Sequence, residues 1–183
     1  PTTLTAFRDS ASRNSNTTRV TAKDLDDISK LVKEKWGYET GGYDNYVHET
    51  KSDKGLFKLD YNISNGHRLS FRYNFLKSTR DVFISNSGTV TSGSNRNSIN
   101  ALSYKNSNYI INNDVHSYIA ELNSIFSSRV SNSFSVGYTA NRDYRSSNSS
   151  VIPLIDILEG SNNQYISLGY EPFTPNNTNR KSV

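Results

Sequence analysis

The chain has no cysteine, so neither disulfides nor thiolate metal sites can brace it. It has no methionine either, and it starts at Pro1 with no charged n-region or apolar h-region, which reads as a processed or excised piece of a longer polypeptide. No stretch approaches the roughly 20 apolar residues of a membrane helix, so this chain can meet a bilayer only through strands. Aliphatic residues are scarce: hydrophobics make up 33% of 183 residues and the mean hydropathy is -0.69. A soluble domain carries about 45 to 50% apolar residues counting glycine. The deficit argues for little core and much loop, and a barrel sheet needs only half of each strand to be apolar. The formal charge is +4 and the pI about 9.2. Lys and Arg are scattered, with no basic helix or run, which argues against a nucleic-acid partner.

What is present is alternation. From Gly55 to Arg80 two arms change between apolar and polar at a period of two. Phe57, Leu59, Tyr61 and Ile63 point one way, with Lys58, Asp60 and Asn62 the other; Leu69, Phe71, Tyr73 and Phe75 oppose Ser70, Arg72 and Asn74. Directly paired residues share a face, so a two-residue Asn65-Gly66 turn would set apolar against polar along the whole ladder. A three-residue loop, Ser64-Asn65-Gly66 with Gly66 in a left-handed bulge, instead pairs Tyr61 with Leu69, Leu59 with Phe71 and Phe57 with Tyr73. A second hairpin repeats the pattern: Tyr118, Ala120, Leu122 and Phe126 share a face, as do Phe134, Val136, Tyr138 and Ala140, again with an odd loop within Ser127 to Ser131.

Such a face can pack on a second sheet or meet lipid. Arms of about 9 to 11 residues suffice to cross a bilayer at a tilt, and outward aromatics such as Tyr61 and Phe71 near the turn suit an interfacial girdle. The fold class expected is therefore all-β, an antiparallel transmembrane barrel segment of about four strands with long loops and one short helix. The helix, about 22–36, starts at Thr21 as N-cap with Asp24 three residues on, and stops at Gly37. The division expected is 1–50 loop containing that helix, 51–80 hairpin, 81–112 loop, 113–145 hairpin and 146–183 loop. Within the last, Gln164 to Tyr170 is a local strand candidate and Val151 to Leu158 an apolar patch.

The wording of several stretches carries more. GYETGGYDNY (37–46), KLDYNISNGHRLSFRYN (58–74), NSNYIINNDVHSYIAELNS (106–124), NSFSVGYTANRD (132–143) and LGYEPFTPNN (168–177) occur in that order. With them the chain resembles the Oar-like branch of TonB-dependent outer-membrane receptors of Bacteroidetes, relatives of the SusC transporters, over most of its length. The resemblance implies a 22-stranded barrel in the bacterial outer membrane with an N-terminal plug, energised through TonB, taking up a large nutrient such as a peptide or glycan. It implies as partners the rest of the barrel and the plug, TonB through a part N-terminal to this chain, a surface lipoprotein, and lipid or lipopolysaccharide. The short turns would then be periplasmic and the long loops extracellular.

On this reading Phe57, Leu59, Tyr61, Leu69, Phe71 and Tyr73 face lipid, while Lys58, Asp60, Asn62, Arg72 and Glu121 face the lumen, with Lys58 and Arg72 pairing Asp60. Tyr104, Tyr109, Arg142 and Tyr144 are candidate ligand contacts near the outer rim. No catalytic, metal or cofactor site is expected: His48, His67 and His116 are scattered, and Asp60 and Glu121 read as lumen charges rather than an acid and base pair. Four Asn-X-Ser/Thr triplets, the last at Asn176, are expected by chance in so Asn-rich a chain. Asp9-Ser10-Ala11 resembles the O-glycosylation triplet of that phylum. The alternative from another class is a soluble secreted β-sandwich that binds glycans or acts as an adhesin.

Overall fold

The computed structural model describes residues 4–8, 15–89, 95–160, 162–171 and 177–182. Asp9-Ser10-Ala11 and Asn176 lie outside them. The fold is mostly β with antiparallel sheets and one α-helix, and no closed barrel is present among the described residues. Among the described residues no helix is long and apolar enough to cross a membrane. The chain divides into two compact units, one of residues 1–49, 80–111 and 145–176, the other of 50–79, 112–144 and 177–183.

The first unit is built from the segments expected as loops with one helix and one strand candidate, and it holds more strands than that. It holds β1 (Thr5–Phe7), β2 (Thr17–Thr21), helix α1 (Ala22–Trp36), β5 (Leu102–Ser103), β8 (Ile155–Glu159) and β9 (Asn163–Leu168). β1 and β2 pair in parallel, and a three-stranded sheet runs β5-β9-β8. Val20, Leu25, Val32, Tyr38, Leu102, Tyr104, Ile166 and Leu168 form its buried core. Each contributing segment has only a short apolar run, so none announces a core alone.

Helix α1 is fastened at both ends. The Thr21 hydroxyl accepts from the Asp24 N–H at 3.1 Å. Gly37 takes a left-handed φ of 64°, and its N–H returns to the Lys33 carbonyl at 2.9 Å. The Tyr165 hydroxyl donates to Asp24 at 2.7 Å, and this bond, then that from Thr21, holds the Asp24 carboxyl below its ordinary range. Thr21→Ala should therefore weaken the helix by about 1 kcal/mol. Hydrogen exchange of the α1 amides in the intact chain should quicken by about fivefold; unchanged exchange would remove the cap from the account.

The second unit is one open sheet. Its strands are β3 (Thr50–Ser64), β4 (His67–Val82), β6 (Tyr109–Ser127), β7 (Val130–Ser147) and β10 (Asn177–Ser182), in the order β10-β7-β6-β4-β3. The two hairpins are neighbours through β4 and β6. β10, within the stretch 146–183 expected as a loop, adds a fifth strand, antiparallel to β7 with Asn179 opposite Arg142 and Lys181 opposite Ala140.

The hairpins keep the odd register. The Ser70 hydroxyl donates to Asp60 at 2.5 Å, and the Phe75 ring fills the space a Cβ on Gly55 would take. Ser117 and Thr139 hydroxyls meet at 3.0 Å and the Asn113 amide donates to Asp143 at 2.6 Å, so these residues oppose one another as well. The turn differs from expectation: Gly66 has no positive φ. Its N–H bonds the Ser64 carbonyl at 2.8 Å, closing a tight turn about Asn65. Glycine is needed there because the Ile125 carbonyl oxygen would lie 2.8 Å from a Cβ, and Ile125 donates its own N–H to the Gly66 carbonyl at 2.7 Å.

Candidate functional site

The candidate site is the five-stranded sheet itself, which has two chemically opposite faces. On one face, the register aligns side chains into rows across strands. Phe57, Tyr73, Tyr118 and Tyr138 form one row, with Tyr73 and Tyr118 rings stacked at 4.7 Å and Tyr118 and Tyr138 at 6.4 Å. The Tyr73 hydroxyl also meets His116 Nδ1 at 2.8 Å. Toward the turns follow Leu59, Phe71, Ala120 and Val136, and then Tyr61, Leu69, Leu122 and Phe134. Most of these side chains are exposed, Leu59 at 56%, Tyr61 at 61% and Phe126 at 65%, while Tyr73, Ala120 and Leu122 are half-buried. From the level of His116 to that of Phe126 is ten residues of β6. At about 3.3 Å per residue and a tilt of about 40°, this makes an apolar band about 25 Å tall.

The opposite face is charged. Lys58 Nζ lies 3.0 Å and the Arg68 guanidinium 3.2 Å from the Asp60 carboxylate. This corrects the expected pairing with Arg72. Both arginines flank Asp60 diagonally, and the one nearer the turn makes the contact; sequence parity placed Arg68 on this face but could not choose between diagonal neighbours. Glu121 accepts from the Asn123 amide at 2.6 Å. Lys58, Arg68, Ser70, Arg72, Glu121 and Asn123 surround a shallow recess of about 240 Å³. Asn62 lies nearer the turn, beside Ser64 and Asn65.

The four proposed rim contacts separate. Tyr104 is fully buried and its hydroxyl donates to the Leu25 carbonyl at 2.6 Å, so it belongs to the core of the first unit and offers a ligand nothing. Tyr109 is also buried, beneath the Arg145 guanidinium at 4.5 Å. Arg142 sits over the Tyr144 ring at 4.6 Å, on the apolar side of the second sheet.

Two clusters in the first unit escaped the sequence reading. Arg96, 1% exposed, donates Nε to Asp156 at 2.9 Å and Nη2 at 2.7 Å, and Nη1 to the carbonyls of Ser85 and of Ser87. Asp156 also accepts from Gln164 and Ser167. Its partner lies 60 residues away in a stretch without periodicity, so no sequence signal pointed to the pair. The second cluster puts His48 against Phe83 at 4.2 Å and Tyr46 at 5.3 Å, beside a cavity of about 30 Å³ that Lys105, Asn108 and Tyr109 also line. Burial pushes the Tyr46 phenol above its ordinary pKa. A space of that size takes about one or two waters, so no nutrient fits it.

Comparison with family models, with curated protein sequences and with solved structures finds no match.

Proposed function

We propose that this chain is a stretch of the wall and outer loops of a TonB-dependent outer-membrane transporter of the Oar-like, SusC-related kind. Its apolar face meets lipid and its charged face lines the lumen. The loop segments shape the entrance for a large nutrient, a peptide or a glycan. The observation that carries this reading is the exposed, charge-free and mostly apolar face that runs over four strands behind a face of charges. In water so large an apolar field is unfavourable; a sandwich would bury it under a second sheet, whereas Leu59, Tyr61, Phe134 and Phe126 are exposed. Among the described residues its outer strands, β3 and β10, also each leave one backbone edge without a pairing strand, which a bilayer does not tolerate. Neighbouring strands of the same barrel would pair them, and the role is then structural and selective rather than catalytic.

The test is fractionation of cells expressing the full-length parent chain. The protein should sit in the outer membrane and leave it only with detergent. If the 183-residue chain alone were monomeric, monodisperse and cooperatively folded in buffer without detergent, the reading would be overturned in favour of the secreted adhesin.

A further inference from the structure

We propose that Asn65 is a modification site that the folded sheet keeps shut: its side-chain amide is lost to water only when the turn between β3 and β4 lets go of β6. Asn65-Gly66 is the one Asn-Gly pair in the sequence, and Asn65 is exposed at the tip of the turn, so water reaches it. In such a pair the second residue has no side chain to shield its nitrogen. The Gly66 nitrogen attacks Asn65 Cγ, ammonia leaves and a cyclic imide forms; water then opens the ring at either carbonyl. Opening at one carbonyl gives aspartate. Opening at the other gives isoaspartate, whose backbone runs through Cβ and is one methylene longer. Water is the only co-reactant.

The fold withholds the geometry that this reaction needs. The Gly66 N–H is bonded to the Ser64 carbonyl at 2.8 Å across a single residue, and Asn65 keeps a negative φ. Together these define an inverse γ-turn, with the ψ of Asn65 about +65°. At that ψ the Asn65 Cβ and the Gly66 nitrogen stand anti to one another across the Cα–C bond, whereas a five-membered ring needs them eclipsed. Closing the ring takes half a turn about that bond, which breaks the Ser64 bond. β6 resists the swing as well, because Ile125 donates its N–H to the Gly66 carbonyl at 2.7 Å. The glycine that makes Asn65 labile is also the one β6 demands, since a Cβ on Gly66 would meet the Ile125 carbonyl oxygen at 2.8 Å. The two hydrogen bonds therefore gate the chemistry. Isoaspartate, once formed, would lengthen the turn and loosen the register of Gly66 with Ile125. None of this depends on the medium that meets the apolar face.

The experiment keeps the full-length protein, folded in lipid vesicles, and the same protein in urea at one mildly alkaline pH. Digestion after Lys58 and Arg68 releases a peptide holding both Asn62 and Asn65, and electron-transfer fragments locate the new carboxyl and tell isoaspartate from aspartate. In urea Asn65 should convert ahead of Asn62, to both products. In the folded protein its conversion should be about tenfold or more slower, set by the population of the open turn. Amide exchange of Gly66 should be slowed by a similar factor, since the same opening frees its N–H. Equal conversion in the two states, or conversion at Asn62 ahead of Asn65, would overturn the proposal. So would a Gly66 amide that exchanges freely in a protein whose Asn65 is protected. If the protein folds in buffer without vesicles, the membrane reading fails, and the same comparison made in buffer decides the turn by the same outcomes.

Discussion

Leu59→Arg should destabilise the folded protein in a bilayer by about 2 to 4 kcal/mol, the penalty for a lipid-facing cation near mid-membrane. Leu59 sits in the row of Phe71, Ala120 and Val136, about halfway between the level of Phe75 and that of Phe126, and is 56% exposed. No partner of opposite sign lies in that row, so the guanidinium could be relieved only by reaching past the aromatics toward an interface. Asn62→Arg, three residues along the same strand and on the charged face near Arg68, should cost far less if that face lines a wet lumen as proposed. The measurement is a bilayer folding titration of the full-length chain with each substitution. Equal losses would mean that the two faces of β3 meet the same medium, and the lipid assignment of Phe57, Leu59, Tyr61, Leu69, Phe71 and Tyr73 would fall together.

Arg96→Ala should be the most damaging single change in the first unit, at about 3 to 5 kcal/mol, because it strands the half-buried Asp156 carboxylate. Arg96 ties the segment of Ser85 and Ser87 to β8, so the loss should appear as faster hydrogen exchange of β8 and β9 amides in the intact chain. Replacing both partners, as Arg96→Met with Asp156→Leu, should do less harm than Arg96→Ala, since no charge is then left unpaired. Burial pushes the Asp156 carboxyl up, but its bonds from Arg96, Ser167 and Gln164 outweigh that and leave it below the ordinary range. A depressed carboxyl contributes stability above its unfolded pKa, near 3.9, and loses it as pH falls through the folded value. Acidification below about pH 4 should thus loosen β8 and β9 in wild type. In the double variant this acid sensitivity should be reduced, and a full response there would place its origin elsewhere.

Much of the sheet was legible in the residues because strand parity is local and strict. A period of two over Phe57 to Ile63 and over Leu69 to Phe75 assigns each side chain a face, and the need to keep like with like dictates an odd loop. The same holds for Tyr118 to Phe126 with Phe134 to Ala140. The ends of α1 were equally local, because Thr21 and Gly37 act on backbone groups within one turn. β10 was not legible: Asn177 to Ser182 has no alternation, and it joins the sheet through the backbone edge of β7, which accepts a partner with little regard to its side chains.

The sequence by itself determined which face of each long strand is apolar, where the turns fall in register, and where the helix begins and ends, since all three depend on spacing along the chain. Only the tertiary structure decided that 1–49, 80–111 and 145–176 share a core, that Arg96 meets Asp156, that Tyr104 lies inside rather than at a rim, and that Arg68 rather than Arg72 takes Asp60. Those outcomes rest on contacts between segments far apart in the chain or on a choice between two equivalent diagonals. Neither leaves a periodic trace in the order of residues.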